Sequence, residues 1–144
     1  MNDLARRCAD AMWAQDRASE GLGLSLDEIG PGRAVLSMVV SAALVNGHGI
    51  CHGGFIFTLA DSAFAFACNS ANERHVAQHC SITFLRPARE GDRLVATARE
   101  VARAKRSGLY DVEVATAAGE VVALLRGHSR ASGGAVLPVE ASDA

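Results

Sequence analysis

Residues 46–70 read Asn-Gly-His-Gly-Ile-Cys-His-Gly-Gly-Phe-Ile-Phe-Thr-Leu-Ala-Asp-Ser-Ala-Phe-Ala-Phe-Ala-Cys-Asn-Ser. A polar, glycine-rich approach leads into an apolar run that predicts a helix from His52 or Gly53 to about Ala71. Phe55, Ile56, Phe57, Leu59, Phe64 and Phe66 surround its axis on every side, the pattern of a buried helix. Between Gly53 and Ala71 the only charged side chain is Asp61. A lone carboxylate in a segment that reads as buried needs a purpose.

On the C-terminal side the period changes to two. Residues 75–85, 93–104, 108–117 and 120–129 read as strands, divided by Arg86-Pro87, Glu90-Gly91-Asp92, Ser107-Gly108 and Ala118-Gly119. In the third, Tyr110, Val112 and Val114 face one way and Asp111, Glu113 and Ala115 the other. Short connections favour antiparallel neighbours. On the N-terminal side, residues 22–29 and 33–41 flank Gly30-Pro31-Gly32 and read as a hairpin. Before it, Asn2 to about Arg17 places Leu4, Cys8, Ala11 and Met12 on one stripe of an amphipathic surface helix. Helix, two strands, one long apolar helix and four strands predict an α+β domain whose curved antiparallel sheet of six strands wraps the central helix. One domain is expected over residues 1–132, with a loose tail at 133–144.

Bulk properties exclude several function classes. The chain carries 14 Lys and Arg against 16 Asp and Glu, without the basic footprint of nucleic-acid binding. Residues 34–60 contain no charged side chain, but Asn46, His48, His52 and four glycines interrupt the run before it reaches the roughly 20 apolar residues of a membrane span. Asp3, Arg6, Arg7 and Asp10 break any signal-peptide core. Cys8, Cys51, Cys68 and Cys80 form no Cys-x-x-Cys pair and sit among apolar neighbours, as reduced thiols do. A soluble, cytoplasmic protein is expected.

Asn46-Gly47-His48-Gly49, then His52-Gly53-Gly54, then Asp61, then residues 81–87 (Ser-Ile-Thr-Phe-Leu-Arg-Pro) closely resemble the hotdog-fold acyl-CoA thioesterases. The similarity is greatest to the phenylacetic acid degradation subgroup, PaaI. It spans nearly the whole chain and includes Tyr110-Asp111-Val112 and Arg126-Gly127. The resemblance implies that Asp61 is the catalytic carboxylate, as nucleophile or general base. It implies that the Gly53 backbone N–H polarises the thioester carbonyl, and that Asn46 and His52 position water or substrate. It also implies a dimer, commonly paired into a tetramer, and a small aromatic acyl-CoA substrate; coenzyme A is then part of the substrate, and no cofactor is expected.

Physical chemistry supports these roles independently. A helix N-terminus offers unpaired N–H groups and a positive dipole end to a developing oxyanion. Gly53 and Gly54, lacking Cβ, permit close approach to that backbone. Eight helical residues separate Gly53 from Asp61 by about 12 Å at about 1.5 Å each. One thioester cannot reach both groups within one chain, so Asp61 of one protomer is expected to face Gly53 and Asn46 of a two-fold partner.

Other readings stand beside these. Asp61 could be a structural carboxylate bonded to neighbouring backbone or Ser62. His48, Cys51 and His52 lack the second ligand pair of a closed zinc site. Ser62 lacks a Gly-x-Ser-x-Gly elbow, and nothing cationic activates Cys51 or Cys68. Arg103, Lys105 and Arg106 are the first candidates for the CoA phosphates, with Arg86 and Arg89 next, although solvated strand ends explain any one of them equally well. Phe57, Phe64 and Phe84 are candidates for the acyl pocket, or plain core. A hydratase would need His-containing motifs that the chain does not show. A non-catalytic acyl-CoA sensor or regulatory protein would have no need of the complete Asn46, Gly53, Asp61 set.

Overall fold

The computed structural model describes residues 3–138. Helix α1 (Asp3–Trp13) and short α2 (Arg17–Leu22) precede β1 (Ser25–Gly30) and β2 (Arg33–Val39). The central helix α3 (Gly53–Cys68) follows a 3-10 turn at Ala42–Leu44, and β3 (His75–Phe84), β4 (Arg93–Ala104), β5 (Ser107–Thr116) and β6 (Val121–Ala131) complete the order. All pairings are antiparallel, in the spatial order β1-β2-β4-β5-β6-β3. The sheet curls around α3, which touches all six strands. No helix among the described residues is long and apolar enough to cross a membrane.

Local chemistry explains where the elements differ from expectation. The N-terminal helix does not run on to Arg17. Asp16 starts a second helix there, its carboxylate accepting from the Ser19 N–H (2.9 Å) and hydroxyl (2.6 Å). Gly23, at φ 69°, ends that helix in the left-handed conformation, so the first strand begins at Ser25 instead of Leu22. Helix α3 stops at Cys68, three residues early. Asn69 caps it and ties it to β3, its amide donating to the His75 carbonyl (3.2 Å) and its carbonyl oxygen accepting from the His75 N–H (2.8 Å).

Ile56, Leu59, Ala60, Ala63, Phe64 and Ala67 pack α3 onto the sheet. Phe64 lies 5.6 Å from Tyr110, ring to ring, over Gly127. A Cβ on Gly127 would come within 2.8 Å of the Phe64 ring, so only glycine lets β6 pass beneath the helix. Burial on every side of α3 is not complete in one chain. Phe57, Thr58, Asp61, Ser62 and Ala65 form a half-exposed strip turned away from the sheet.

The sheet has two edges of different character. The β1 edge lies beside α1. Among the described residues no strand pairs with the outer edge of β3, ten residues long, and Val76 (52% exposed) and Phe84 (49%) are open on that strand. Through residue 138 the tail is held against the Asn72–Arg74 turn. The Arg74 N–H donates to the Gly134 carbonyl, and the Leu137 N–H to Asn72 Oδ1. The remainder of the expected loose tail, 139–144, lies outside the described residues.

Candidate active site

The glycine-rich approach folds on itself before α3 begins. Asn46 Oδ1 accepts from the backbone of His48 (2.9 Å) and Ile50 (3.4 Å), closing the loop. The loop is then pinned from both sides, the His52 N–H donating to the Leu44 carbonyl (2.8 Å) and the Cys51 N–H to that of Ala88 (2.7 Å). An isolated bridge between Ile50 and Arg89 extends the second contact. The β3–β4 connection therefore lies alongside the start of α3. Between them is a cleft of about 510 Å³, lined by Asn46, Ile50, Gly53, Ile56, Phe84 and Arg86 among others.

The first turn of α3 leaves one amide free. His52 is the N-cap: its Nδ1 accepts from the Gly54 N–H (2.9 Å) and its carbonyl from Phe55 (3.0 Å) and Ile56 (3.5 Å). Among the described residues Gly53 N–H has no partner, and Gly53 lines the cleft. A helix start with one unsatisfied donor facing a cavity suits a developing oxyanion.

The paired glycines also meet a packing need within the chain. A Cβ on Gly53 would lie 3.1 Å from the Phe84 ring, and one on Gly54 would lie 3.1 Å from His52 Nδ1. The missing side chains make room for a packed phenyl ring and for the cap. Replacing His52 with alanine should therefore cost about 0.5–2 kcal/mol of stability, read by denaturant unfolding. His52→Asn should recover most of that loss, because asparagine also caps.

Asp61 lies elsewhere, on the half-exposed strip of α3 and outside the lining of this cleft. Burial raises its carboxyl above the ordinary carboxylate range, with no hydrogen bond or cation opposing the rise. A structural carboxylate bonded to Ser62 is thus not what is observed. The thiols offer no rival nucleophile: burial raises Cys51 and Cys80, and pushes Cys68 up to about 12. Among the described residues of one chain, no group of three or more His, Cys, Asp or Glu is arranged for a metal.

The remaining candidates separate. Phe84 borders the cleft and Phe57 shares the strip with Asp61, whereas Phe64 is core, 1% exposed. Arg103 sits toward the C-terminal end of α3 and is held by Glu73, with His75 Nε2 2.7 Å from its guanidinium. Arg106 donates to the Ala131 carbonyl (3.1 Å), and Lys105 is exposed in the β4–β5 turn. Within one chain none of these three lines the cleft, but Arg86 does. The sequence ranked Arg86 behind them because its place depends on the contact between residues 50–51 and 88–89, which no local pattern encodes.

Known proteins place the chain in context. The sequence profile of the Thioesterase superfamily matches residues 48–123. The acyl-coenzyme A thioesterase PaaI of Escherichia coli K12 is 43% identical over 136 residues, which is 94% of this chain and 97% of the relative. The structure of E. coli PaaI, from the phenylacetic acid degradation operon, superposes with a TM-score of 0.92 over 93% of this chain and 97% of that one. A mutant of the phenylacetic acid degradation protein PaaI from Thermus thermophilus is 40% identical, with a TM-score of 0.78 over 81% of this chain and 99% of its own. On this similarity, and on the fold that carries it, the chain belongs to the thioesterase superfamily and is a thioester hydrolase of hotdog fold.

Proposed function

We propose that the chain is an acyl-CoA thioesterase that hydrolyses small aromatic esters, of the phenylacetyl- or hydroxyphenylacetyl-CoA kind, at two sites shared across a homodimer. One observation carries the reading. The free Gly53 N–H and the unpartnered Asp61 carboxylate lie on the same helix, about 12 Å apart along its axis at about 1.5 Å per residue. A two-fold axis near Phe57, midway between them, brings Asp61 of the partner subunit to Gly53 and forms the second site by the same operation. The half-exposed strip on α3 and the unpaired edge of β3 are the surfaces such a partner would cover.

In this site the thioester carbonyl oxygen accepts from Gly53 N–H. The partner subunit's Asp61 either attacks the carbonyl carbon or takes a proton from the attacking water. Asn46, whose Oδ1 is held by its own loop, has its amide N–H₂ available to orient substrate or water. His52 acts through the helix start that it caps. The acyl ring packs near Phe57 and Phe84. Hydrolysis of this kind needs no cofactor.

The CoA phosphates need cations at the cleft mouth. Arg86 lines the cleft, and Arg89 follows on the same connection. A perpendicular two-fold runs the two α3 helices antiparallel, which carries the partner's 103–106 turn toward this mouth. Lys105 is the freest cation there, Arg103 being engaged with Glu73 and His75. The four free cysteines fit a reducing cytoplasm.

The aromatic preference follows the PaaI relatives, whose names place them in phenylacetic acid degradation. A panel of acyl-CoAs read by free-thiol release tests it: aryl esters should turn over with higher kcat/KM than straight-chain esters of similar size. Tight binding without turnover of any ester would indicate a sensor instead.

A further inference from the structure

A group of cations at one end of the sheet has no counter-charge. Ala104 pairs with Ser107, so Lys105 and Arg106 make the turn between β4 and β5. Arg130 of β6 is directly opposite Ser107 on one side and Val76 of β3 on the other, and its side chain shares their face. The turn is held against the end of β6. The Arg106 guanidinium donates to the Ala131 carbonyl (3.1 Å), and the Ala131 N–H donates to the Arg106 carbonyl (2.8 Å). Lys105, Arg106 and Arg130 are exposed, and among the described residues none of them forms an ion pair. Glu73, which precedes β3, is already engaged by Arg103 and His75. Lys105 adopts φ 54° at a turn position that ordinarily takes glycine. The chain keeps a charged side chain where none would suit the backbone better.

The fold carries these cations to the cleft of the other protomer. Asn69 ties the end of α3 to His75, and the next residue, Val76, is the one opposite Arg130. The two-fold near Phe57 sets that end of one α3 beside the start of the other. Strand β3 is the open edge, and Arg130 is one strand in from it, at about 4.8 Å. The cluster of one protomer therefore lies toward the cleft mouth of its partner, where Arg86 and Arg89 are.

Coenzyme A presents its anions in a fixed order from the thioester. The diphosphate comes first, at the end of the pantetheine arm, and the 3′-phosphate on the ribose follows. Arg86 and Arg89 belong to the connection that lines the cleft and meet the diphosphate. We propose that Arg130, Lys105 and Arg106 of each protomer bind the 3′-phosphate of the ester held at the other protomer's Gly53. A phosphate monoester carries about −1.5 to −2 charge at pH 7, enough to engage several cations at once. Arg130 offers it a two-pronged guanidinium contact. The proposal rests on the acyl-CoA and dimer readings above. It makes the enzyme selective for coenzyme A over thioester carriers that end at the pantetheine phosphate.

Hydrolysis of phenylacetyl-CoA and of phenylacetyl-3′-dephospho-CoA, compared by kcat/KM at low salt, tests the site. The wild-type enzyme should prefer the CoA ester about tenfold, the scale of one hydrogen bond to a charged group, through KM and not kcat. Arg130→Ala should bring that preference to about one, and Arg130→Lys should keep part of it. Arg99→Ala, which removes an exposed arginine elsewhere on β4, should keep it whole. A wild-type enzyme without the preference, an Arg130→Ala variant that retains it, or an equal loss of it in Arg99→Ala would overturn the proposal. Hydrolysis of neither ester would overturn the acyl-CoA reading, and a monomer in light scattering the dimer reading.

Discussion

Asp61→Asn is expected to lower kcat for acyl-CoA hydrolysis by about 10²–10⁴-fold, the range for losing a positioned base. Asparagine keeps the size and shape of the side chain but can neither accept a proton nor attack the carbonyl. KM should change little, because in the proposed site this carboxylate acts in the chemical step while other groups hold the substrate. The same carboxyl sets a pH limit. Burial raises it, so wild-type activity should fall with decreasing pH above the ordinary Asp range near 3.9. Stability should move the other way. A folded chain that binds this proton more tightly than the unfolded chain is penalised at neutral pH, where the group must ionise. Asp61→Asn should therefore melt at or above the wild-type temperature while losing turnover. Equal loss of both would indicate a structural carboxylate.

Gly53→Pro should lower kcat by about 10²–10³-fold, the cost of deleting one oxyanion donor, with the helix intact. Gly53 is the first residue of α3, where proline is tolerated because its missing N–H has no helical partner. His52, at φ −61° and ψ 131°, already has the extended conformation that a following proline requires. Proline adds a Cβ against Phe84, and Gly53→Ala controls for it, since alanine adds the same atom and keeps the N–H. The proline variant should be far less active than the alanine variant. Equal losses would assign the effect to displacement of Phe84 and remove the oxyanion role.

Much of the architecture is legible in the sequence because its signals are local. The 93–104 strand is bounded by a turn at each end and appears with those limits, and the alternation of Tyr110, Val112 and Val114 is the buried face of β5. Helix α2 is not legible, since six residues including Gly21 are too short for a period to show. The cap role of His52 is hidden because histidine is not among the usual capping residues. The contact of Phe84 with Gly53 joins residues from separate elements, and the position of Arg86 has the same origin. The all-round apolar character of α3 reads as burial within one chain. One of its faces stays half exposed, and that face carries Asp61.

The shared site is tested most directly by a mixed dimer of one Asp61→Ala chain and one Gly53→Pro chain, isolated with two affinity tags and assayed for acyl-CoA hydrolysis. If Asp61 serves the partner's Gly53, one site combines both defects and the other is wild type. The mixed dimer should then recover about half the wild-type rate, while each parent homodimer is inactive. If the two groups serve one substrate within one chain, both sites are defective. An inactive mixed dimer would contradict the shared site.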